Sequence, residues 1–215
     1  MLGRSISKNS ALLAGFAAIT AGLIALTFQV TAGRIAEAER RAAQRALFEV
    51  VPEHRHDNDM LADTLVVPPA DAAALHMSEP TLIHVARQGG EPIAFVIPSS
   101  APDGYSGAIK LLVGVNTDGS VAGVRVLRHN ETPGLGDKIE LAKHRWILSF
   151  DGKSLTNPQV ENWAVKKDGG DFDQFAGATI TPRAVVKQVR QVLQYVRSHR
   201  EELLEKARAN QAVAP

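Results

Sequence analysis

The stretch "AIKLLVGVNTDGSVAGVRVLRH", Ala108 to His129, decides the fold class. Two β-type runs flank "NTDG", Asn116 to Gly119. Asn and Asp side chains bond their own backbone in turns, and Gly supplies a positive φ, so the four residues read as a reversal between paired strands. A similar pair lies just upstream, where "TLIHVA" (Thr81 to Ala86) and "PIAFVIP" (Pro92 to Pro98) are separated by "RQGGE", again a hairpin pattern. Apolar and polar residues alternate only partly in these runs, which predicts a mainly antiparallel sheet with both faces covered.

Helices are expected to do the covering. "DKIELAKHRWILSF", Asp137 to Phe150, places Ile139, Ala142, Trp146 and Ile147 near one face of a helix. Val185, Val189, Val192 and Val196 form a more regular stripe, widened by Val186 and Leu193, with Lys187, Arg190, Gln191 and Gln194 opposite. Thr181 suits the N-cap of that helix and Pro182 its first turn. Beyond Tyr195 the sequence turns polar and is expected to fray at its end. The expected class is α+β.

The totals fit one sizeable folded domain with an appendage. The chain has 215 residues, 45% hydrophobic and 22% charged, with a net charge of +1 and no cysteine. A near-neutral chain gives no general attraction to nucleic acid, so none is expected as a partner. Without thiols, the chain offers neither thiolate metal sites nor thiol redox chemistry. Any redox role must use a bound cofactor. "VPEHRHDNDM" contains His54, His56 and Asp57, but an alternating His pair in a polar loop without a further partner at ligand spacing does not make a metal site. No metal is expected, and no P-loop, dinucleotide fingerprint or internal repeat occurs.

Ahead of the domain, "ALLAGFAAITAGLIALTFQV" runs from Ala11 to Val30 without a charge. About 20 apolar residues suffice to cross a bilayer as a helix. Arg4 and Lys8 before the run, with Val30-Thr31-Ala32 after it, also fit a cleaved signal peptide. The length exceeds a usual signal core and favours a retained anchor, hence a membrane-lipid contact. Arg34, Arg40, Arg41 and Arg45 follow the run, which by basic-residue count puts the domain in the cytoplasm. Glu37, Glu39 and Glu49 offset them, and long domains translocate regardless of such charge, so physics leaves the side open. The segment Gly33 to Val50 continues as a helix, with Glu37 and Arg41 spaced to pair.

The last decisive stretch is "DQFAGATITPRAVV", Asp173 to Val186. A helix start carries free N–H groups and partial positive charge, so an anion is favoured there. Gly177 and Ala178 allow close approach. A phosphate on the Thr181 hydroxyl is therefore physically permitted but not demanded, and for a lone Thr-Pro helix start a plain N-cap is by far the better reading.

"DQFAGATIT" resembles the flavin-attachment sequence Asp-x-x-Ser/Thr-Gly-Ala-Thr/Ser-x-Thr of the G subunit of the Rnf (Rsx-type) ion-translocating electron-transport complex. It is similar also to that of the C subunit of the sodium-translocating NADH:quinone reductase. Asp173, Gly177, Ala178, Thr179 and Thr181 match, whereas Ala176 stands where the family has a hydroxyl. A second stretch, "GYSGAIKLLVGVNTDGSVAGVRVLRHNETPGLGDKI" from Gly104 to Ile139, resembles the core of the same FMN-binding domain.

The resemblance implies one FMN per chain, covalently bound through its phosphate to Thr181. It further implies a loop of Glu131, Thr132, Leu135 and Gly136 against the flavin, with Gly177, Ala178 and Thr179 at the phosphate end. Glu131 can alternatively serve a structural ion pair. Implied partners are other subunits of a membrane electron-transport complex and a flavin transferase. The implied location is the bacterial inner membrane, single-pass, with the domain on the periplasmic side. The chain would be a redox-carrier subunit of a translocase rather than an enzyme on its own. The expected organisation is a tail over 1–10, a transmembrane helix over 11–30, a helical linker over 31–75, the FMN-binding domain over 76–200 and a polar tail over 201–215.

Two other readings compete. A non-flavinylated assembly or binding subunit would need only the anchor and the fold. A tethered hydrolase would need a nucleophile and a base, for which Ser106 and His129 are the nearest residues, unpaired by any motif. His129 and His144 are given no catalytic role, and Trp146 is expected in the core.

Overall fold

In the computed structural model, residues 2–77 and 81–211 are described. They form a long N-terminal helix, a five-stranded sheet and a C-terminal helix, with shorter helical turns between. Residues 1–43 and 44–215 are separate compact units.

Helix α1 (Leu2–Val50) is long and apolar enough to cross a membrane. Within it Phe16, Ile19, Leu23 and Phe28 are all exposed, as a lipid-facing helix requires. Thr20, Thr27 and Thr31 each return their hydroxyl to a carbonyl one turn back, so these groups are satisfied without water. Arg41 donates to Glu37 at 2.5 Å, the expected one-turn pair.

The sheet contains β1 (Thr64–Val66), β2 (Leu82–Gln88), β3 (Glu91–Ala101), β4 (Ile109–Asn116) and β5 (Val121–Arg128). A single helical turn, α2 (Pro69–Ala72), lies between β1 and β2. Strands that neighbour in sequence neighbour in space, and every pairing is antiparallel. Both expected hairpins form. The β2–β3 turn is Gly89-Gly90 with φ of 59° and 84°, a conformation only glycine adopts easily twice in succession. In the β4–β5 turn the Asp118 carboxylate accepts from the Ser120 N–H and hydroxyl. Strand β1 carries no cue in the amino-acid order, because three residues are too few for a pattern.

Both faces of the sheet are covered. On one, Phe95, Ile97, Leu111, Val113 and Val124 pack with α3 (Ile180–Gln211). Val185, Val189, Val192, Leu193 and Val196 are all buried, as their spacing predicts, each contributing about 1.5–3 kcal/mol. Gln188, on the same side, is buried too, and its Oε1 lies 2.9 Å from His76 Nδ1. The helix continues to Gln211, with Leu203 and Ala207 buried; the expected fraying at 212–215 lies outside the described residues. The Ala207 carbonyl accepts from Arg87, which also pairs with Asp63 at 2.5 Å.

The other face carries Ala86, Ala94, Val96 and Leu112, packed with Leu47, Val50, Val51 and Met60. Gly114 and Gly123 are cross-strand partners beneath Val50. A Cβ on Gly123 would lie 2.8 Å from the Val50 carbonyl oxygen, and one on Gly114 would lie 2.4 Å from a Val50 methyl. The paired glycines are the socket into which Val50 fits.

The helix expected over 137–150 does not form. Two 3-10 segments, Gly136–Ile139 and Arg145–Phe150, replace it. His144 breaks the run by accepting the Trp146 N–H on its Nδ1, acting as the cap of the second segment. Trp146 is nevertheless core, edge-on to Phe150 and Phe175. The link is held by Lys143, which reaches Asp137 at 2.9 Å and Glu140 at 3.0 Å. Their hydrogen bonds to Lys143 hold both carboxyl groups below ordinary values of 3.8 and 4.5.

Two outcomes are expected from this packing. Gly123→Ala in the full-length chain should cost about 1–3 kcal/mol through overpacking, read as a fall of roughly 2–4 °C in Tm per kcal/mol. The depressed carboxyls make the unfolded chain bind more protons at acid pH. Their contribution to stability is full above the ordinary values and is lost as pH falls through the lowered ones. Tm measured down a pH series should therefore drop less steeply in Lys143→Met than in the wild-type chain.

Candidate functional site

The segment after β5 turns back over the sheet and brings "ETPGLG" against the start of α3. Leu135 and Gly136 donate their N–H groups to the Thr132 carbonyl, closing the loop. On the opposite side, Ala178 N–H bonds the Phe175 carbonyl across a turn where Gly177 has φ of 80°. Phe175 fixes that turn by packing edge-on to Trp146, whose indole N–H donates to the Asp173 carbonyl at 2.8 Å.

Helix α3 begins at Ile180, ahead of the expected place. The Thr179 carbonyl accepts the Arg183 N–H, so Thr179 is the N-cap and Thr181 lies inside the first turn. Pro182 is tolerated there because first-turn N–H groups have no intrahelical acceptor. Freed from capping, Thr181 turns its side chain inward. Its Oγ1 donates a short hydrogen bond to Glu131 Oε2, while Glu131 Oε1 accepts the Ser106 N–H at 2.9 Å. Thr181 is 1% exposed and Glu131 4%. Among the described residues no cation pairs with Glu131, so the alternative of a structural ion pair finds no partner.

Gly136 allows this contact. A Cβ there would fall 2.8 Å from Thr181 Oγ1 and 2.9 Å from Glu131 Oε2. Any side chain would separate loop from helix.

Above the pair lies a cavity of about 570 Å³, within the range of small-molecule sites. All eight residues singled out in the sequence line it: Glu131, Thr132, Leu135, Gly136, Gly177, Ala178, Thr179 and Thr181. Tyr105, Lys167 and Ile180 complete the wall. Tyr105 stands within the quoted Gly104 motif, but Lys167 comes from the irregular 150–175 segment, whose turns carry no periodic signal. Ala176 is exposed and does not line the cavity. Asp173 is exposed and pairs with Lys166 at 2.7 Å.

The lining joins an apolar rim to one end of positive potential, with the Glu131 carboxylate turned to Thr181 and Ser106. Tyr105, Leu135 and Ile180 expose 66%, 41% and 45% of their surface around one opening, an apolar rim that a ring system would cover. The start of a 32-residue helix and the Lys167 ammonium supply positive potential for a phosphate.

The other sequence candidates have structural duties. His129 accepts the Glu131 N–H on Nδ1 and meets Glu140 at 2.7 Å on Nε2, so neither nitrogen is free to activate Ser106. His56 lies 5.3 Å from the Phe48 ring, and Asp57 accepts the Gly89 N–H. Among the described residues no cluster of three ligating side chains could hold a metal.

Residues 104–194 match the FMN-binding domain family, and residues 1–50 match the RnfG N-terminal region. The chain is 53% identical over 201 residues to the G subunit of the ion-translocating oxidoreductase complex of Pseudomonas aeruginosa, covering 94% of this chain and 93% of that one. The corresponding protein of Shewanella loihica is 47% identical over 201 residues, covering 94% of each. That of Vibrio cholerae is 46% identical over 200 residues, covering 93% of this chain and 94% of the other. With family models matched over 1–50 and 104–194 and relatives similar along nearly their whole length, the protein belongs to the family of G subunits of ion-translocating oxidoreductase complexes.

Proposed function

We propose that this chain is a membrane-anchored electron carrier holding one FMN, attached through its phosphate to Thr181 Oγ1. The observation that carries the reading is the meeting of two sequence-distant motifs around one hydroxyl, on the wall of a cavity with an apolar rim. Bound there, FMN supplies the one- and two-electron redox chemistry, while the protein supplies binding and orientation.

The protein's share is binding and placement. Thr181 fixes the phosphate end, where the first turn of α3 and Lys167 offset its charge. Gly177, Ala178 and Thr179 admit the phosphate by their small size or polar side chain. Thr132 offers a hydroxyl toward the ring, and Leu135 an apolar face that excludes water. Covalent attachment keeps the carrier loaded and its distance to neighbouring redox groups constant.

In this reading α1 crosses the bacterial inner membrane once, in contact with lipid, through the segment 11–30, and 76–200 is the flavin domain on the periplasmic side. A flavin transferase loads it, and other subunits of the complex exchange electrons with it. Ala176 does not weaken the reading, because that position faces solvent and leaves the cavity wall unchanged.

Expression beside a flavin transferase should give a fluorescent band for the wild-type chain after denaturing electrophoresis and none for Thr181→Ala. A colourless wild-type band would favour an assembly subunit without flavin. Ala176→Ser should leave the fluorescence per chain unchanged within about twofold, since the added hydroxyl lies outside the cavity.

A further inference from the structure

We infer that His129 is a positioning residue for the loop on the flavin side, latching it through a neutral ring and releasing it when that ring takes up a proton. The inference goes beyond the attachment reading and uses it only for the loop's effect on a bound flavin.

The latch is one hydrogen bond. The Glu131 backbone N–H donates to His129 Nδ1 at 2.9 Å, so Nδ1 carries a lone pair and no proton. A neutral imidazole keeps its single proton on the other nitrogen, and Nε2 lies 2.7 Å from Glu140 Oε1. The two contacts specify one tautomer. They also pull in opposite directions. The Glu140 carboxylate favours a charged ring, whereas an imidazolium carries N–H on both nitrogens and cannot accept from Glu131. A proton on Nδ1 would keep the ring against Glu140 and set the Glu131 N–H against a second donor.

The charged groups around the ring sharpen this choice. Lys143, from the link between the 3-10 segments, pairs with both Glu140 and Asp137, and its hydrogen bonds hold both carboxyls below their ordinary values. Arg128 precedes His129 at the end of β5. The Glu131 carboxylate is itself turned to Thr181 and Ser106. Among these residue types, histidine is the one whose charge ordinarily changes between about pH 5 and 8. The His129 side chain is 10% exposed, and an open cleft of about 310 Å³ between the end of β5 and Glu140 gives solvent a route to it.

The latched N–H belongs to the site. Glu131 begins the run that carries Thr132, Leu135 and Gly136 to the cavity wall, and Leu135 and Gly136 are closed onto the Thr132 carbonyl. Releasing that N–H frees the upstream end of the run. A carrier built this way loosens its flavin wall as the proton concentration around its domain rises.

The test is amide hydrogen exchange of the full-length chain in detergent, corrected for intrinsic rates and referred to a β3 peptide. Between about pH 8 and about pH 5, protection of the wild-type peptide containing Glu131 should fall about threefold to tenfold, the worth of one hydrogen bond. Asparagine places an amide oxygen near the Nδ1 position, an acceptor that takes no proton, so His129→Asn should stay protected across the range. Glutamine reaches toward Glu140 but offers no acceptor near Nδ1, so His129→Gln should lack the protection throughout. Level wild-type protection overturns the inference, and so does equal protection in the two variants. The wild-type profile needs no substitution, so it decides even where a variant fails to fold.

Once the transferase has loaded FMN, the flavin's visible circular dichroism should change over the same range in wild type and hold steady in His129→Asn. A level wild-type signal overturns the latch's effect on the flavin. A wild-type chain that takes no flavin defeats the attachment reading alone, since the exchange result stands without it.

Discussion

One buried hydrogen bond joins the two halves of the site. Glu131 belongs to the loop after the sheet, and Thr181 to the first turn of the last helix, 50 positions later. Each is polar and almost fully shielded from water, so each must find a partner or incur a desolvation penalty of about 1–3 kcal/mol. They satisfy one another, with a backbone N–H from the turn before β4 as the third member. The cavity exists because these three segments must converge there. Its floor is the polar contact and its rim the apolar side chains that the contact leaves facing outward.

The surrounding fold serves that convergence. A five-stranded meander gives a stiff platform whose two faces are covered by different parts of the chain. α3 covers one with a valine stripe, and the end of α1 covers the other through the glycine socket beneath Val50. Between them the 136–175 segment has little regular structure and is held by aromatic stacking around Trp146, Phe150, Trp163 and Phe172. Its irregularity lets it deliver Lys167 and the Phe175–Ala178 turn to the same opening.

Much of this is legible in the amino-acid order, for identifiable reasons. The hairpins are signalled by Asn116–Gly119 and by the Gly89-Gly90 pair, because these residues have few alternatives to a turn. The valine stripe predicts its helix because its spacing has one structural meaning. The 137–150 segment misleads because Ile139, Ala142, Trp146 and Ile147 are helically spaced, while the His144 ring competes for the backbone and divides the run. The cap is displaced from Thr181 although Thr-Pro usually begins a helix. Here the inward contact with Glu131 takes the Thr181 hydroxyl, a long-range partner that no local pattern reveals. Lys167 is invisible for the same reason, and so is the exposure of Ala176. The motifs name the site residues through family resemblance; the folded chain shows why such distant pieces meet.

α3 is held at both extremities. Its first turn is tied to Glu131, and the Ala207 carbonyl near its far end accepts a hydrogen bond from the buried Arg87. The stretch from Thr181 to Ala207 spans roughly 39 Å of helix at about 1.5 Å per residue. A rod clamped at two points so far apart resists axial sliding and rotation alike. Whatever occupies the mouth above Thr181 is thereby indexed to β2, at the far end of the helix.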